Sequence, residues 1–287
     1  MSLLTVRKWL NKRPIKRKSM IDDYEAKILA TYMKYMIYYP NGNLINSSNL
    51  LGNLIQFELY KDMKILDIGA CFGKNWCLYP KISQLNLEIV DQSLLNIKVT
   101  QQKLSDKGTM TRVRQMDYTA LEYDSHFFDR VISKIGFQMQ SIEEQRAALK
   151  EANRVVKAKG THYVVVKEQS LKDGLYQLMI DFDHQIQIKD PFSTEIIEVE
   201  PYLETLYENV NSIEGEADYL IYDDKQCIAL FLTCEDPNYI DYIVKRHLGQ
   251  QFSKFLQAKF ESQGTIVLKQ KYKVFKCQNK KKQLKSI

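Results

Sequence analysis

Cysteine and histidine are scarce in this 287-residue chain. The five cysteines (Cys71, Cys77, Cys227, Cys234, Cys277) form no CxxC pair and the four histidines are scattered, which excludes a zinc module and a disulfide scaffold. A reducing compartment is the simple expectation. No apolar run approaches the roughly 18 residues of a membrane-spanning helix, and no secretory apolar region is present. A soluble or membrane-peripheral protein is expected. Acids are absent from both ends. Residues 1–20 hold Arg7, Lys8, Lys12, Arg13, Lys16, Arg17 and Lys18 with no acid until Asp22, and from residue 262 onward there are eight lysines and no acid. With a net charge of +6, the body between these ends is net acidic, as in many enzymes of small molecules.

The basic start MSLLTVRKWLNKRPIKRKSM carries Leu3, Leu4, Val6, Trp9 and Leu10 at roughly helical spacing. That pattern suits a mitochondrial targeting helix, with the cytoplasm as the alternative location; it suits equally a solvated arm touching nucleic acid or an anionic membrane. At 45% hydrophobic residues the chain can bury a real core. The segment 22–60 reads as two helices, the first opening with acids and ending at Pro40 and Gly42. Strands are expected at 63–69, 86–91, 111–117, 128–134 and 161–167, with helices between them, the clearest at 141–157. Alternation of this kind makes a doubly wound α/β sheet, mostly parallel, the default. Residues 168–200 read as a long irregular connection where a substrate cap could sit, and 201–210 as helical. In DYLIYDDKQCIALFLTC (218–234) two strands flank DDKQ, too short for a parallel crossover, so an antiparallel hairpin is expected to close the sheet. Three parts follow: a basic arm at 1–21, a main domain at 22–235, and a basic extension at 236–287. The extension reads as a helix carrying Tyr239, Ile243, Leu248, Phe252, Phe255, Leu256 and Phe260, then a strand and a lysine tail, none of it needed to complete the sheet.

The chemistry concentrates in ILDIGACFGKN (65–75), a strand that reaches Asp67 and turns through Gly69 and Gly73. Such a turn sets backbone N–H groups and a helix N-terminus at the carboxyl edge of a sheet, where anions and nucleosides bind. It is not a Walker A loop, because only three residues separate the glycines and Lys74-Asn75 follows; it lacks the third glycine of a nicotinamide-enzyme turn.

Several residues in order resemble the class I S-adenosylmethionine-dependent methyltransferases, within them the large group that includes ubiquinone-biosynthesis C-methyltransferases. Asp67, Gly69 and Gly73 match the family's glycine turn, with Cys71 in place of its middle glycine. Asp91, 22 residues after Gly69, stands where the family's second strand ends in an acid for both ribose hydroxyls. Two carboxylate oxygens facing a vicinal diol explain that acid. Asp117 matches the acid that contacts the adenine amino group. Phe128-Asp129, Val131 and Arg154-Val155-Val156-Lys157 match two further landmarks, and the family's seventh strand is antiparallel. The resemblance covers roughly residues 45–235. It implies a seven-stranded Rossmann-like sheet with its last strand antiparallel, S-adenosyl-L-methionine as cofactor, and a cofactor site of Asp67, Gly69, Ala70, Cys71, Gly73, Asp91, Gln92, Asp117, Tyr118 and Ser133. Tyr118 and Phe137 could wall the adenine or fill the core, while His126 reads as a surface histidine and His162 as structural.

Departures from the family bound the activity. Cys71 is small enough for the turn. The exit of the fourth strand offers Lys134 and Gln138 and lacks the Asn/Asp-Pro-Pro-Tyr/Phe of enzymes that methylate base amino groups. No metal site is expected, and no catalytic base is marked, since methyl transfer asks chiefly for alignment. Two readings remain: a methyltransferase acting on a small-molecule or lipid-like acceptor, or a methyltransferase fold retired into a structural or assembly subunit of a large complex, with the mitochondrion as one location the basic start would suit. The second rests on the aromatic helix and the lysine tail.

Overall fold

The computed structural model describes residues 59–279 except 70–72, 74–75, 77–81, 107–110, 134–140, 170, 187–197, 225–226, 228–241 and 244–245. The basic arm, most of the segment expected as two helices over 22–60, Ala70, Cys71, Lys134, Phe137, Gln138 and the lysine run after 279 fall outside the described residues.

Five parallel strands form one half of the sheet: β1 (Lys64–Ile68), β2 (Asn86–Asp91), β3 (Arg112–Gln115), β4 (Phe128–Ser133) and β5 (Val156–Gln169). Near-continuous burial of Ile65 to Ile68 and of Leu87 to Asp91 is what a parallel strand covered on both faces requires, and it is why these runs are readable from sequence. Helix α1 (Leu94–Ser105) is capped by Ser93, whose side chain accepts from the Asn96 N–H. Helix α2 (Ile142–Val155) begins with a capping box, Glu144 N–H to Ser141 Oγ and Ser141 N–H to Glu144 Oε2. It buries Ala148, Leu149, Ala152 and Val155, one stripe at helical spacing. Strand β5 follows at once, five residues earlier than the pattern predicts, because Val156 pairs with Phe128 before a register shift restores pairing at Arg130 and Thr161. Gly160 sits in that irregularity, where a Cβ would lie 2.8 Å from Val156 Cγ2.

The other half departs from expectation. Residues 168–200 are not irregular throughout: α3 (Leu171–Phe182) buries Leu175, Leu178 and Met179, and α4 (Val199–Leu206) starts and ends earlier than the helix expected at 201–210. Strand β6 (Asn209–Ile221) runs into a turn at Asp223, whose carbonyl accepts from the Cys227 N–H; the second strand of the hairpin expected around DDKQ falls mostly on 228–234, outside the described residues. Further along, the chain forms α5 (Gly249–Gln263) and returns as β7 (Ile266–Gln278). The sheet order is β3-β2-β1-β4-β5-β7-β6, with β7 antiparallel to both neighbours. The seven-stranded, mostly parallel sheet with an antiparallel last strand is as expected, but the extension beginning at 236 supplies that strand. β7 inserts between β5 and β6 because both present it an open edge, and Asn209 to Ile221 all pair with it. The aromatic helix is likewise spent internally: Phe252 and Leu256 of α5 pack with Leu175, Met179 and Leu268, and Phe182 meets Phe252 edge-on at 5.1 Å.

Candidate functional site

The parallel register sets Ile68 beside Val90 and Ser133, and Asp91 beside Gln115, so the ends of β1, β2, β3 and β4 form one carboxyl edge. In doubly wound sheets ligands bind at this edge. Of the residues read from sequence as a cofactor site, the described ones all lie on it or in the turns leaving it.

The turn after β1 is built on positive φ at Gly69 (87°) and Gly73 (66°), a conformation costly for any residue with a Cβ. Gly69 N–H donates to Val90 O at 2.9 Å, stitching the turn to β2. At Gly73 a Cβ would stand 3.0 Å from Thr100 Cγ2, so the turn packs flush on α1. Asp67 is fully buried and accepts from Trp76 Nε1, which ties the strand end to a residue beyond the turn.

Asp91 closes β2 and is 4% exposed. Its Oδ1 accepts from Ser93 N–H at 2.8 Å, and Asn96 Nδ2 reaches both oxygens at 3.1 and 3.2 Å. Asp117 leaves β3 exposed, and Oδ1 takes all of its donors: Thr119 N–H and Oγ1, each at 2.8 Å, and Gln92 Nε2 at 3.4 Å. Oδ2 takes no donor among the described residues. The Thr119 backbone N–H, and then its hydroxyl, hold the Asp117 carboxyl below the usual carboxylate range. Gln92 joins the two acids further, since its carbonyl accepts from Gln115 Nε2 at 2.8 Å and its N–H donates to Tyr118 Oη at 3.3 Å. Tyr118 itself is 4% exposed within the core cluster of Leu66, Val90 and Met116, so of the two roles open to it the ring serves packing.

Ser133 ends β4, 2% exposed, with Oγ 2.7 Å from His162 Nε2; His162 Nδ1 lies 2.7 Å from Tyr207 Oη. Burial pushes the imidazole down to about 3 and the phenol well above its ordinary value, so both are neutral. His126 lies at the opposite edge of the sheet, at φ 60° with Nδ1 3.1 Å from Val156 O, and takes no part in the site. Asp129 and Arg154, two of the sequence landmarks, are structural. Asp129 accepts from Lys157 Nζ at 2.7 Å and Lys64 N–H at 3.0 Å; Arg154 clamps the carbonyls of Leu121 and Tyr123 while paired with Glu151, fixing the loop between Asp117 and β4. A cavity of about 300 Å³ lined by Lys64, Asn86, Glu88, Arg112 and Phe127 also opens at that opposite edge, away from every candidate residue. No group of three potential metal ligands occurs among the described residues.

Sequence reading missed Trp76, Asn96, Thr119 and Tyr207. Asn96 had a signal, the Ser93-x-x-Asn96 spacing that sets a helix start against the preceding strand end. Tyr207 had none, because it meets His162 across 45 residues of sequence.

Sheet order, glycine turn and paired strand-end acids define a doubly wound α/β protein whose candidate site lies at the carboxyl edge of its parallel strands. A family model described as a methyltransferase domain matches residues 65–160. The ubiquinone/menaquinone biosynthesis C-methyltransferase UbiE of Coxiella burnetii is 28% identical over 207 residues, covering 69% of this chain and 78% of that protein. Among solved structures, the YcgJ protein of Bacillus subtilis shares the fold with TM-score 0.52 at 16% identity, covering 82% of this chain and 98% of that one. A Haemonchus contortus phosphoethanolamine N-methyltransferase, solved with phosphomonomethylethanolamine and S-adenosylhomocysteine, aligns with TM-score 0.50 at 13% identity, covering 89% of this chain and 58% of its own. Residues 65–160 thus match a methyltransferase domain, and the chain is similar to class I S-adenosylmethionine-dependent methyltransferases.

Proposed function

We propose that this enzyme moves the methyl group of S-adenosylmethionine to a small-molecule or lipid-like acceptor, and that Asp91 and Asp117 hold the nucleoside part of the cofactor. The observation that carries this is the coupled acid pair: two carboxylates at successive strand ends, bridged by Gln92, with Asp117 Oδ2 free of donors among the described residues. The residues suit that cofactor. Asp91, oriented by Asn96 and Ser93, presents an acceptor to a vicinal diol; the second Asp117 oxygen suits an exocyclic amine; the positive φ of Gly69 and Gly73 suits a turn that an amino-acid end approaches closely. The cofactor, when bound, supplies an activated methyl on a sulfonium, so the chain's own task is to align it and exclude water. The reading of the acceptor draws on the name of the Coxiella relative. The aromatic helix that would have served a retired complex subunit has its apolar side buried within the chain, which favours the enzyme.

Calorimetric titration with S-adenosylmethionine and S-adenosylhomocysteine tests the reading. Binding is expected, and Asp91→Ala is expected to abolish it. Wild-type protein that shows no heat at millimolar cofactor would refute the proposal.

A further inference from the structure

The cavity at the opposite edge of the sheet carries charges that do not pair off within it. Lys64 opens β1, Glu88 lies in β2 and Arg112 opens β3; Lys64 stands beside Asn86 and Glu88 beside Arg112, so the two-residue period of a strand sets all three on one face of the sheet. Glu88 lines the cavity, and only a tenth of its side chain is exposed. Its Oε2 accepts from Tyr123 Oη at 2.9 Å and from Arg114 Nη2 at 3.2 Å, and burial holds the Tyr123 phenol above its ordinary value, so that donor keeps its proton. Oε1 is the oxygen left to face the space. It accepts no hydrogen bond among the described residues, and Arg112 Nη1 stands 3.9 Å away, beyond hydrogen-bond range. Lys64 pairs with no carboxylate among the described residues; its ammonium rests 3.8 Å from the centre of the Phe127 ring. A largely buried carboxylate oxygen thus meets a space of about 300 Å³ flanked by two cations, a volume at the lower end of small-molecule sites.

A simple anion would be repelled by Glu88 and a simple cation by Lys64 and Arg112. A ligand that carries both signs meets all three. Because Arg112 Nη1 and Glu88 Oε1 are only 3.9 Å apart, the ligand's two charges have to be neighbours, as they are on the one carbon of an α-amino acid. We propose that this cavity binds a free α-amino acid with an apolar side chain, its ammonium on Glu88 Oε1, its carboxylate on Arg112 and Lys64, and its side chain against Phe127 and Leu85. Glu88 precedes Asp91 by three residues of strand, about 10 Å, and Lys64 precedes Ile68 by four, about 13 Å, so the ligand lies well below the carboxyl edge. It is therefore an effector's site and not the place of the group to be methylated, and it stands independently of the cofactor reading.

Three probes separate the cases on the full chain, read by calorimetry and saturation-transfer NMR: L-phenylalanine, 3-phenylpropanoate, which lacks the ammonium, and phenethylamine, which lacks the carboxylate. L-Phenylalanine is expected to bind with a Kd of about 1 mM or tighter, and each of the other two about tenfold or more weakly than that, the loss of one charge-assisted contact. The Arg112 side chain is 77% exposed, so Arg112→Gln should melt like wild type; it is expected to weaken L-phenylalanine about threefold or more and to leave phenethylamine no weaker. Glu88→Gln is expected to erase the preference for L-phenylalanine over 3-phenylpropanoate; should that variant fail to fold, Arg112→Gln and the three probes carry the test. Excess S-adenosylhomocysteine should not displace L-phenylalanine, since the two edges are separate. No binding of L-phenylalanine at about 10 mM, equal affinity for the three probes, unchanged affinity in Arg112→Gln, or displacement by S-adenosylhomocysteine would each overturn the inference, and none of these results bears on whether wild type binds the cofactor.

Discussion

Acid should unfold this protein through His162. The imidazole is fully buried between Ser133 and Tyr207 and held near 3 by desolvation, against about 6.5 in an unfolded chain. Its neighbours do not soften this, since Tyr207 is neutral and burial pushes the Cys277 thiol up to about 12. Because the folded value lies below the unfolded one, the unfolded state binds the extra proton between pH 6.5 and 3. Stability from this site is therefore full above about 6.5 and falls as pH drops, at about 1.4 kcal/mol per unit. Between pH 7 and pH 5 the loss is about 2 kcal/mol, a large share of a domain stability of roughly 5–15 kcal/mol. His126, His184 and His247 are exposed. Urea melts of wild type and His162→Gln at both pH values isolate the term, because carboxylate contributions are common to the two proteins. Wild type should lose about 2 kcal/mol more than the variant over this interval. Equal losses would refute the buried, neutral histidine.

Ending the chain after Gly264 removes β7 and, with it, the burial of Ile266, Leu268, Val274 and Phe275; at about 1.5–3 kcal/mol each this matches the whole stability of a domain, so circular dichroism should show no cooperative melt. A cooperative transition in that truncated chain would contradict the sheet order. Arg154→Lys keeps the charge but loses the fork that reaches the Leu121 and Tyr123 carbonyls at 2.8 and 2.7 Å, for an expected cost of about 1–3 kcal/mol read by thermal denaturation. Gly73→Ala puts a side chain at φ 66° with its Cβ 3.0 Å from Thr100 Cγ2; a loss of about 1–2 kcal/mol is expected from the backbone alone, with weaker S-adenosylhomocysteine binding, and an unchanged melting temperature would count against the turn geometry.

Much of the first half of the fold was legible because its signals are local. The strands β1 to β4 are apolar runs between turns, and Ser141 with Glu144 marks the start of α2 within four residues. The glycine turn, Asp91 and Asp117 could be found for the same reason: each is a strand end followed by turn chemistry. The second half was misread where pairing is not local. The extension from 236 reads as dispensable to the sheet, yet its residues 266–278 pair with 209–221. The strand IVLKQKYKVFKC could be recognised as a strand, but nothing in it states that Thr161, 117 residues earlier, is the partner of Gln278.

By itself, then, the sequence determined which segments are strands and helices, which turn approaches a ligand, and which acids stand at the carboxyl edge, since each follows from periodicity, backbone freedom and spacing along the chain. Tertiary structure decided the rest. The open edges of β5 and β6 placed the C-terminal strand between them and drew the aromatic helix into the core, because unpaired backbone groups and exposed rings are costly wherever they lie in sequence. The same packing brought Tyr207 to one ring nitrogen of His162 and Ser133 to the other, an arrangement of three residues that no stretch of the chain contains.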